Sequence, residues 1–451
     1  MRRLYEPAAY DTGRWPDSHW RATAPAAPRH APLQGAARAE VAVVGAGYAG
    51  LNAALVLAAR GIDVAVLDAG QPGWGASGRN GGFCCIGGTK LPDAEIARRH
   101  GIDEARALRR FQIGAVEHVA GLLETHGIDA ERGPPGEICI AHSPRAWAEL
   151  RAEVEERNRL MGEALRLIPR EELAQEGLGC AVAHGASYDP TGFPLHPMRY
   201  VLGLVEAARS AGVRLYGDSA VTGLAPADGG WRLATPGGEV RARKVLVATN
   251  GYSSEDLPPW LSGRTLPALS TILVTRPLTG DERRAQGWTG QRMAYDSRSL
   301  LHYFRLLRDG RFLFGMRGGL SAAPAAEARI RAEARRHFEI MFPAWSRVET
   351  EREWSGLVCL TGSLTPYVGP VPGAEGLFAA LGWHGNGVST ASFGGQAAGR
   401  MIAGEPGRLP APLAAPPRRF PLAPFRRNLL ALAYLWRGWK DGPLRAAAPG
   451  G

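Results

Sequence analysis

The sequence predicts an α/β protein: a discontinuous Rossmann-like domain built on a parallel sheet, holding an inserted, β-rich α+β domain. Three observations carry this. A strand, a glycine-rich turn, a helix and a second strand follow one another over residues 40–68. The order strand, glycine-rich turn, helix returns at residues 377–404. Between them, residues 270–320 read as β-rich, with the turn signal Asp309-Gly310 ahead of a strand at 311–315. Dinucleotide-type elements at both ends, with β-rich material between, require a domain assembled from separated segments.

The elements follow in order. Residues 1–37 are rich in Pro, Ala and Trp without periodicity, and read as an arm over the body anchored by Tyr5, Trp15 and Trp20. Residues 38–93, 183–262 and 350–405 are expected to form the dinucleotide-binding domain. Residues 94–182 and 263–349 are expected to form the substrate domain and helical excursions, and 406–451 a tail. Helical spacing marks 94–125, 145–161 and 325–341. A helix at 198–210 is introduced by Pro197 and closed by Gly212. Strands are expected at 137–141, 214–216, 231–235 and 244–249. The tail is rich in Pro and Arg, with an amphipathic piece at 429–439.

Composition narrows the class. The chain has 451 residues with 45% hydrophobic and 21% charged residues, ordinary for a globular enzyme. No run approaches a membrane span, and the start lacks the apolar core of a secretory signal, so a cytoplasmic setting is expected. The five cysteines have neither metal-ligand nor disulfide-framework spacing, and no metal site is expected. The net charge of +10 comes from arginines spread along the chain, with three lysines only (Lys90, Lys244, Lys440). No aromatic-interleaved basic module appears, so nucleic acid is not an expected partner.

The first chemistry lies at residues 40–68. The strand Glu40-Val-Ala-Val-Val44, continuously apolar after its first residue, reads as a buried parallel strand, and it enters Gly45-Ala-Gly47-Tyr-Ala-Gly50. Gly45 makes the tight turn, Gly47 admits the backbone to a pyrophosphate, and Gly50 lets helix pack on strand. The following helix, expected at 51–60, offers free N–H groups and its dipole to phosphates. A second strand at 62–67 ends in Asp68, an acid placed to accept from ribose hydroxyls. The fingerprint alone does not separate NAD from FAD.

The next segment does. Gly73-Trp-Gly-Ala-Ser-Gly-Arg-Asn-Gly-Gly82 resembles the second flavin motif of the D-amino-acid-oxidase-type superfamily, most like its γ-glutamylputrescine oxidoreductase branch. The resemblance implies an FAD-binding domain, with Ser77, Arg79, Asn80, Gly81 and Gly82 near the pyrophosphate and the flavin ring. It continues through residues 188–197, where His196 reads as a cap or packing group. Further on, Val221 is implied to meet the adenine, and Thr249 and Gly251 to close over the pyrophosphate. Gly356 and the turn Gly385, Asn386, Gly387, Val388 are implied to hold the flavin's pyrimidine edge. Thr361-Gly-Ser363 stands where many relatives carry Thr-x-Asp, which weakens a substrate assignment through that acid.

The resemblance points to oxidation of an amine or amino acid, with FAD held non-covalently and O2, a quinone or a flavoprotein as electron acceptor. Flavin carries the redox chemistry, so the protein binds, orients and shields. On the strand around 301–305, alternation sets Tyr303 and Arg305 on one face and His302 and Phe304 on the other. Arg305 is a candidate carboxylate clamp, and Tyr303, Trp383 and His384 are candidates for the substrate side. Monomeric sarcosine oxidases place a lysine beside the flavin; here Ser389 stands at about that alignment, with no lysine near it in sequence. The alternative reading is a flavoprotein subunit, or a nucleic-acid-modifying module, in which FAD serves a partner or the structure.

Overall fold

The structure, a computed structural model, describes residues 1–405 and 407–447. Two large sheets organise it. In the first, the strands run in the order Tyr367–Pro370, Leu377–Leu381, Gly238–Val247, Gly35–Val44, Val64–Leu67 and Arg214–Tyr216. Gly230–Thr235 and Gly223–Ala227 extend it as an antiparallel flap. Val41–Val44 is central, paired in parallel with residues 244–247 on one side and 64–67 on the other. That explains the unbroken apolar run: both faces of these strands are covered. The helices Tyr48–Ala58 and Gly387–Ile402 pack closely on each other, and small residues make this possible. A Cβ on Gly395 would lie 2.1 Å from the Ala49 carbonyl oxygen.

The second sheet runs Thr350–Thr361, Thr265–Thr275, Phe312–Gly319, His302–Leu306, Met293–Asp296, Glu137–Ile140, Gly185–Asp189 and Arg166–Pro169. Gly185–Asp189 and Thr350–Thr361 belong to this sheet, although their ranges fall in segments expected to serve the first. The long strand Thr350–Thr361 pairs along Thr265–Thr275 in an antiparallel ladder, which outweighs its proximity in sequence to the flavin turn. An aromatic core of Trp288, Phe304, Phe312, Phe314, Phe338, Phe342 and Trp345 joins this sheet to the helix Pro324–Met341. Offset and edge contacts among such rings contribute about 0.5–1.5 kcal/mol per pair beyond area burial.

Local boundaries follow cap chemistry. The helical stretch 94–125 is two helices, Asp93–His100 and Ile102–Thr125, separated at Gly101 with φ +92°. The helix Pro197–Ser210 has His196 at its N-cap, whose Nδ1 accepts from the Arg199 N–H. That is the capping role read from the sequence. The first glycine-loop helix starts at Tyr48, inside the fingerprint, so its N-terminus faces the turn. The arm includes a short helix, His19–Thr23, with Trp20 buried and its indole N–H donating to the Asn80 carbonyl. No helix among the described residues is long and apolar enough to cross a membrane.

Candidate active site

A cavity of about 540 Å3, lined from both sheets, is the centre of the molecule's chemistry. One part is made largely of backbone. Gly45, Ala46, Gly47, Asp68, Val221 and Thr249 line it, together with Ser77, Arg79, Asn80 and Gly81. A Cβ on Gly47 would meet Ser77 Oγ at 2.9 Å, and one on Gly50 would meet the Gly45 oxygen at 1.9 Å. Gly50 therefore serves packing rather than lining. Asp68 accepts from the Ala46 N–H (2.7 Å) and the Gly70 N–H (2.9 Å). Burial pushes its carboxyl up, and these two amides oppose that shift. Each oxygen keeps a further lone pair for a ribose hydroxyl.

The loop after Gly73 is braced by its own side chains. Asn80 Oδ1 accepts from the Gly82 N–H, while its Nδ2 donates to the Ala76 and Ser77 carbonyls. Ser77 Oγ accepts from the Tyr48 N–H. Gly82 and Gly251 do not line the cavity: Gly82 turns the chain at φ +74°, and Gly251 packs against Leu357. Arg79 stacks on Trp74 at 4.2 Å, and its Nη2 is buried without a hydrogen-bond partner, as is Ser254 Oγ. Both residues line the cavity. An unpartnered guanidinium nitrogen lining the same cavity as a helix N-terminus whose N-cap, Gly47, has no side chain to cap it fits a pyrophosphate, whose oxygens would complete both. The residues present therefore fit FAD.

The other part is made of side chains. Tyr303 lines it, with its hydroxyl 2.8 Å from Ser270 Oγ and its acidity weakened to about 12 by burial. Its cross-strand partner is Gly315, where a Cβ would lie 2.2 Å from the ring, so only glycine leaves the ring its place. Trp383, Gly385, Asn386, Gly387, Val388 and Gly356 also line the cavity. Asn386 Nδ2 donates to the Ile86 carbonyl, tying the flavin turn to residues 85–90.

Two candidates stand elsewhere. Arg305 does share a face with Tyr303, but its guanidinium donates to the Gly81 and Leu195 carbonyls at 3.1 and 2.7 Å. It lies over the Trp20 ring and outside this cavity. Its Nε and Nη2 brace the loop after Gly73, and the side chain lines a second cavity rather than this one. His384 is fully buried and does not line the cavity. Its Nδ1 lies 2.7 Å from the Gly88 carbonyl, and its Nε2 accepts from the Thr361 N–H. This fixes a neutral ring, and burial lowers its pKa to about 3. The ring braces the turn, its one proton held on Nδ1 toward the Gly88 carbonyl.

Sequence reasoning missed the charged residues of the cavity. Arg317 lines it and reaches only the His384 carbonyl, at 3.3 Å. Lys90 also lines it, in contrast to the expectation of no nearby lysine. The segment 85–90 folds against the flavin turn, so Lys90 faces that region despite standing 295 residues before Gly385. Burial holds its amine well below the usual range, and Arg317 and Arg437 add to this. Glu137, buried on the second sheet, has an Oε2 without a hydrogen-bond partner. Burial raises it to about 8, Asp189 adds to the shift, and Arg157 opposes it. Arg109 and Arg157, also at the cavity wall, are paired with Glu163, and Arg157 further with Asp189. The available signals were faint: one of only three lysines, and an acid opening an apolar strand.

Comparison with known proteins agrees with this construction. Residues 40–401 match the family described as DAO, FAD dependent oxidoreductase. The chain is 32% identical over 426 residues to a probable oxidoreductase, OrdL, of Rhizobium meliloti, covering 94% of this chain and 97% of that protein. It is 30% identical to γ-glutamylputrescine oxidoreductase of Escherichia coli, over 82% and 85% of the two chains. In fold it is similar to glycine oxidase from Geobacillus kaustophilus, with TM-score 0.65 and 23% identity over 86% of this chain and 98% of that one. The match spans the fingerprint, the second sheet and the flavin turn, and the chain belongs to the DAO family of FAD-dependent oxidoreductases.

Proposed function

We propose that the protein oxidises a primary or secondary amine, an amino acid or a γ-glutamyl-polyamine-like molecule, releasing an imine that water hydrolyses. The carrying observation is the set of ionisable groups that line the cavity: the buried Glu137 carboxyl, whose Oε2 has no hydrogen-bond partner, with the Arg317 guanidinium and the Lys90 amine. That pattern suits a molecule bearing both a nitrogen and an acidic group. The names of relatives, glycine oxidase from Pseudomonas aeruginosa (27% identical) among them, support an amine donor.

Arg79, Asp68, Ser77 and the turn 385–388 would hold FAD. Bound there, FAD would supply the acceptor for hydride at N5, from the carbon that bears the amine nitrogen. The protein's own groups do the rest. Tyr303, held by Ser270, presents a phenol that stays protonated and donates or accepts without ionising. Arg317 is the cation free to take an acidic group, in the role first read for Arg305. Trp383, with its neighbours Gly385 and Gly387, walls the site from water. Only a neutral amine can give up hydride, so turnover should rise with pH as the bound amine loses its proton. O2, a quinone or a second flavoprotein would then take the electrons. The test is anaerobic bleaching of the yellow holoenzyme by a panel of amines. A 2-hydroxy acid that bleaches it faster than every amine sinks the proposal.

A further inference from the structure

Eight large hydrophobic side chains are exposed among the described residues, and six of them lie between positions 422 and 439. Leu422 and Phe425 precede the helix Arg426–Asp441, and Leu432, Leu435, Trp436 and Trp439 are on it, 57–81% exposed. At 100° per residue these four form one stripe, spaced i, i+3, i+4, i+7. The opposite face is used: Leu430 and Tyr434 pack with Leu266, Val358 and Leu360 of the second sheet. The stripe is thus surplus to the fold.

Charge concentrates in the same place. Residues 406–451 carry eight basic side chains and one acidic, whereas residues 1–405 carry 45 and 42. Arg408, Arg426 and Arg427 are neutralised by Glu104, Glu255 and Glu6. Arg418, Arg419, Arg437 and Lys440 are exposed, and none has an ion-pair partner among the described residues. Lys440 lies over the Trp436 ring at 5.9 Å, so a cation flanks the apolar stripe directly.

We propose that this C-terminal helix docks the protein in the plane of an anionic lipid bilayer surface. Apolar side chains with two tryptophans would enter the headgroup boundary, and the flanking cations would meet lipid phosphates. Self-association through the same face would set Arg437 and Lys440 against their own copies, a like-charge contact. A nucleic acid would satisfy the cations but leave the leucines wet. Docking has a consequence for the active site. Val358, which the helix packs against, also lines the cavity, and Arg437 and Tyr434 act electrostatically on Lys90 and Arg317. The helix therefore holds the cavity's charged end near the lipid.

The test is co-sedimentation of the FAD-loaded protein with vesicles of phosphatidylcholine alone, or mixed with phosphatidylglycerol. Binding is expected on the mixed vesicles, falling as salt rises. L435E/W439E and R437E/K440E should each weaken it roughly tenfold or more, with flavin content equal to the parent. If one variant loses flavin and so fails to fold, the other decides. No co-sedimentation, equal binding to neutral vesicles, or a dimer in light scattering that either variant abolishes would each overturn the proposal. None of these outcomes depends on the amine reading.

Discussion

The two parts of the cavity are built by different means. The part that fits the nucleotide uses backbone amides, glycines and a helix N-terminus, nearly all from residues 45–82 and their immediate partners. The part proposed to take the substrate uses side chains, and its members come from residues 90, 137, 270, 303, 317 and 383, which only the sheets bring together. A backbone site tolerates added atoms poorly: a Cβ on Gly45, Gly47 or Gly81 would lie 2.9 Å from a neighbouring atom. A side-chain site tolerates substitution but loses charge balance. The first should fail by losing cofactor, the second by changing what it accepts.

The largest expected effect tests the backbone half. Gly50→Val would place a Cβ 1.9 Å from the Gly45 oxygen and 3.1 Å from Val43 Cγ1. We expect ~3 kcal/mol of destabilisation or more and purification without yellow colour. Gly438→Ala, with nothing within 4 Å, is the neutral control. A flavin-loaded Gly50→Val protein would remove the distinction between the two halves.

Arg305 and Arg317 sharpen the comparison most directly. Arg305→Ala leaves the Gly81 and Leu195 carbonyls buried and unpaired, costing about 1–3 kcal/mol for each. It should lower the melting temperature and harm all substrates alike. Arg317→Ala should instead raise KM for amines with an acidic group, by the 1.5–3 kcal/mol typical of a charge-assisted hydrogen bond, sparing simple alkylamines. The opposite pattern in steady-state kinetics would return the clamp to Arg305.

Asp68→Ala should weaken FAD retention by about 1–3 kcal/mol, read as flavin content after dialysis. Wild-type retention would mean that its bonds to Ala46 and Gly70 are its whole role.

Glu137 gives a pH signature. Its folded-state pKa of about 8 lies above the ordinary 4.5. Below pH 4.5 both folded and unfolded chains hold the proton, and no difference arises. Between the two values the unfolded chain has lost it and the folded chain keeps it, so stability falls as pH rises. Glu137→Gln should flatten that slope and gain about 1–3 kcal/mol near pH 8, measured by thermal melts across the range. Parallel slopes for the two proteins would show that Glu137 is already paired. The smallest expected effect is none. Acid precipitation should leave the yellow colour in the supernatant, also for Cys359→Ser. Cys359 is buried outside the cavity, while Cys85 lines it with a thiol that burial keeps protonated. A yellow pellet would mark a covalent link and point first to Cys85.

What the sequence determined by itself is the cofactor half. Its physics is local: a buried strand, three glycines at fixed spacing, a helix and a terminal acid fall within residues 40–68, so the pattern is legible without the fold. The strand holding Tyr303 and the cap at His196 were legible for the same reason, since alternation and capping act over a few residues. Tertiary structure decided which side chains face the cavity. Tyr303 and Arg305 share a strand face, yet the Gly81 and Leu195 carbonyls capture only the second. Lys90 and Glu137 enter through pairings made across the chain: residues 85–90 against the flavin turn, and Glu137–Ile140 against Met293–Asp296. A buried charge is set by its three-dimensional surroundings, and no local pattern encodes them.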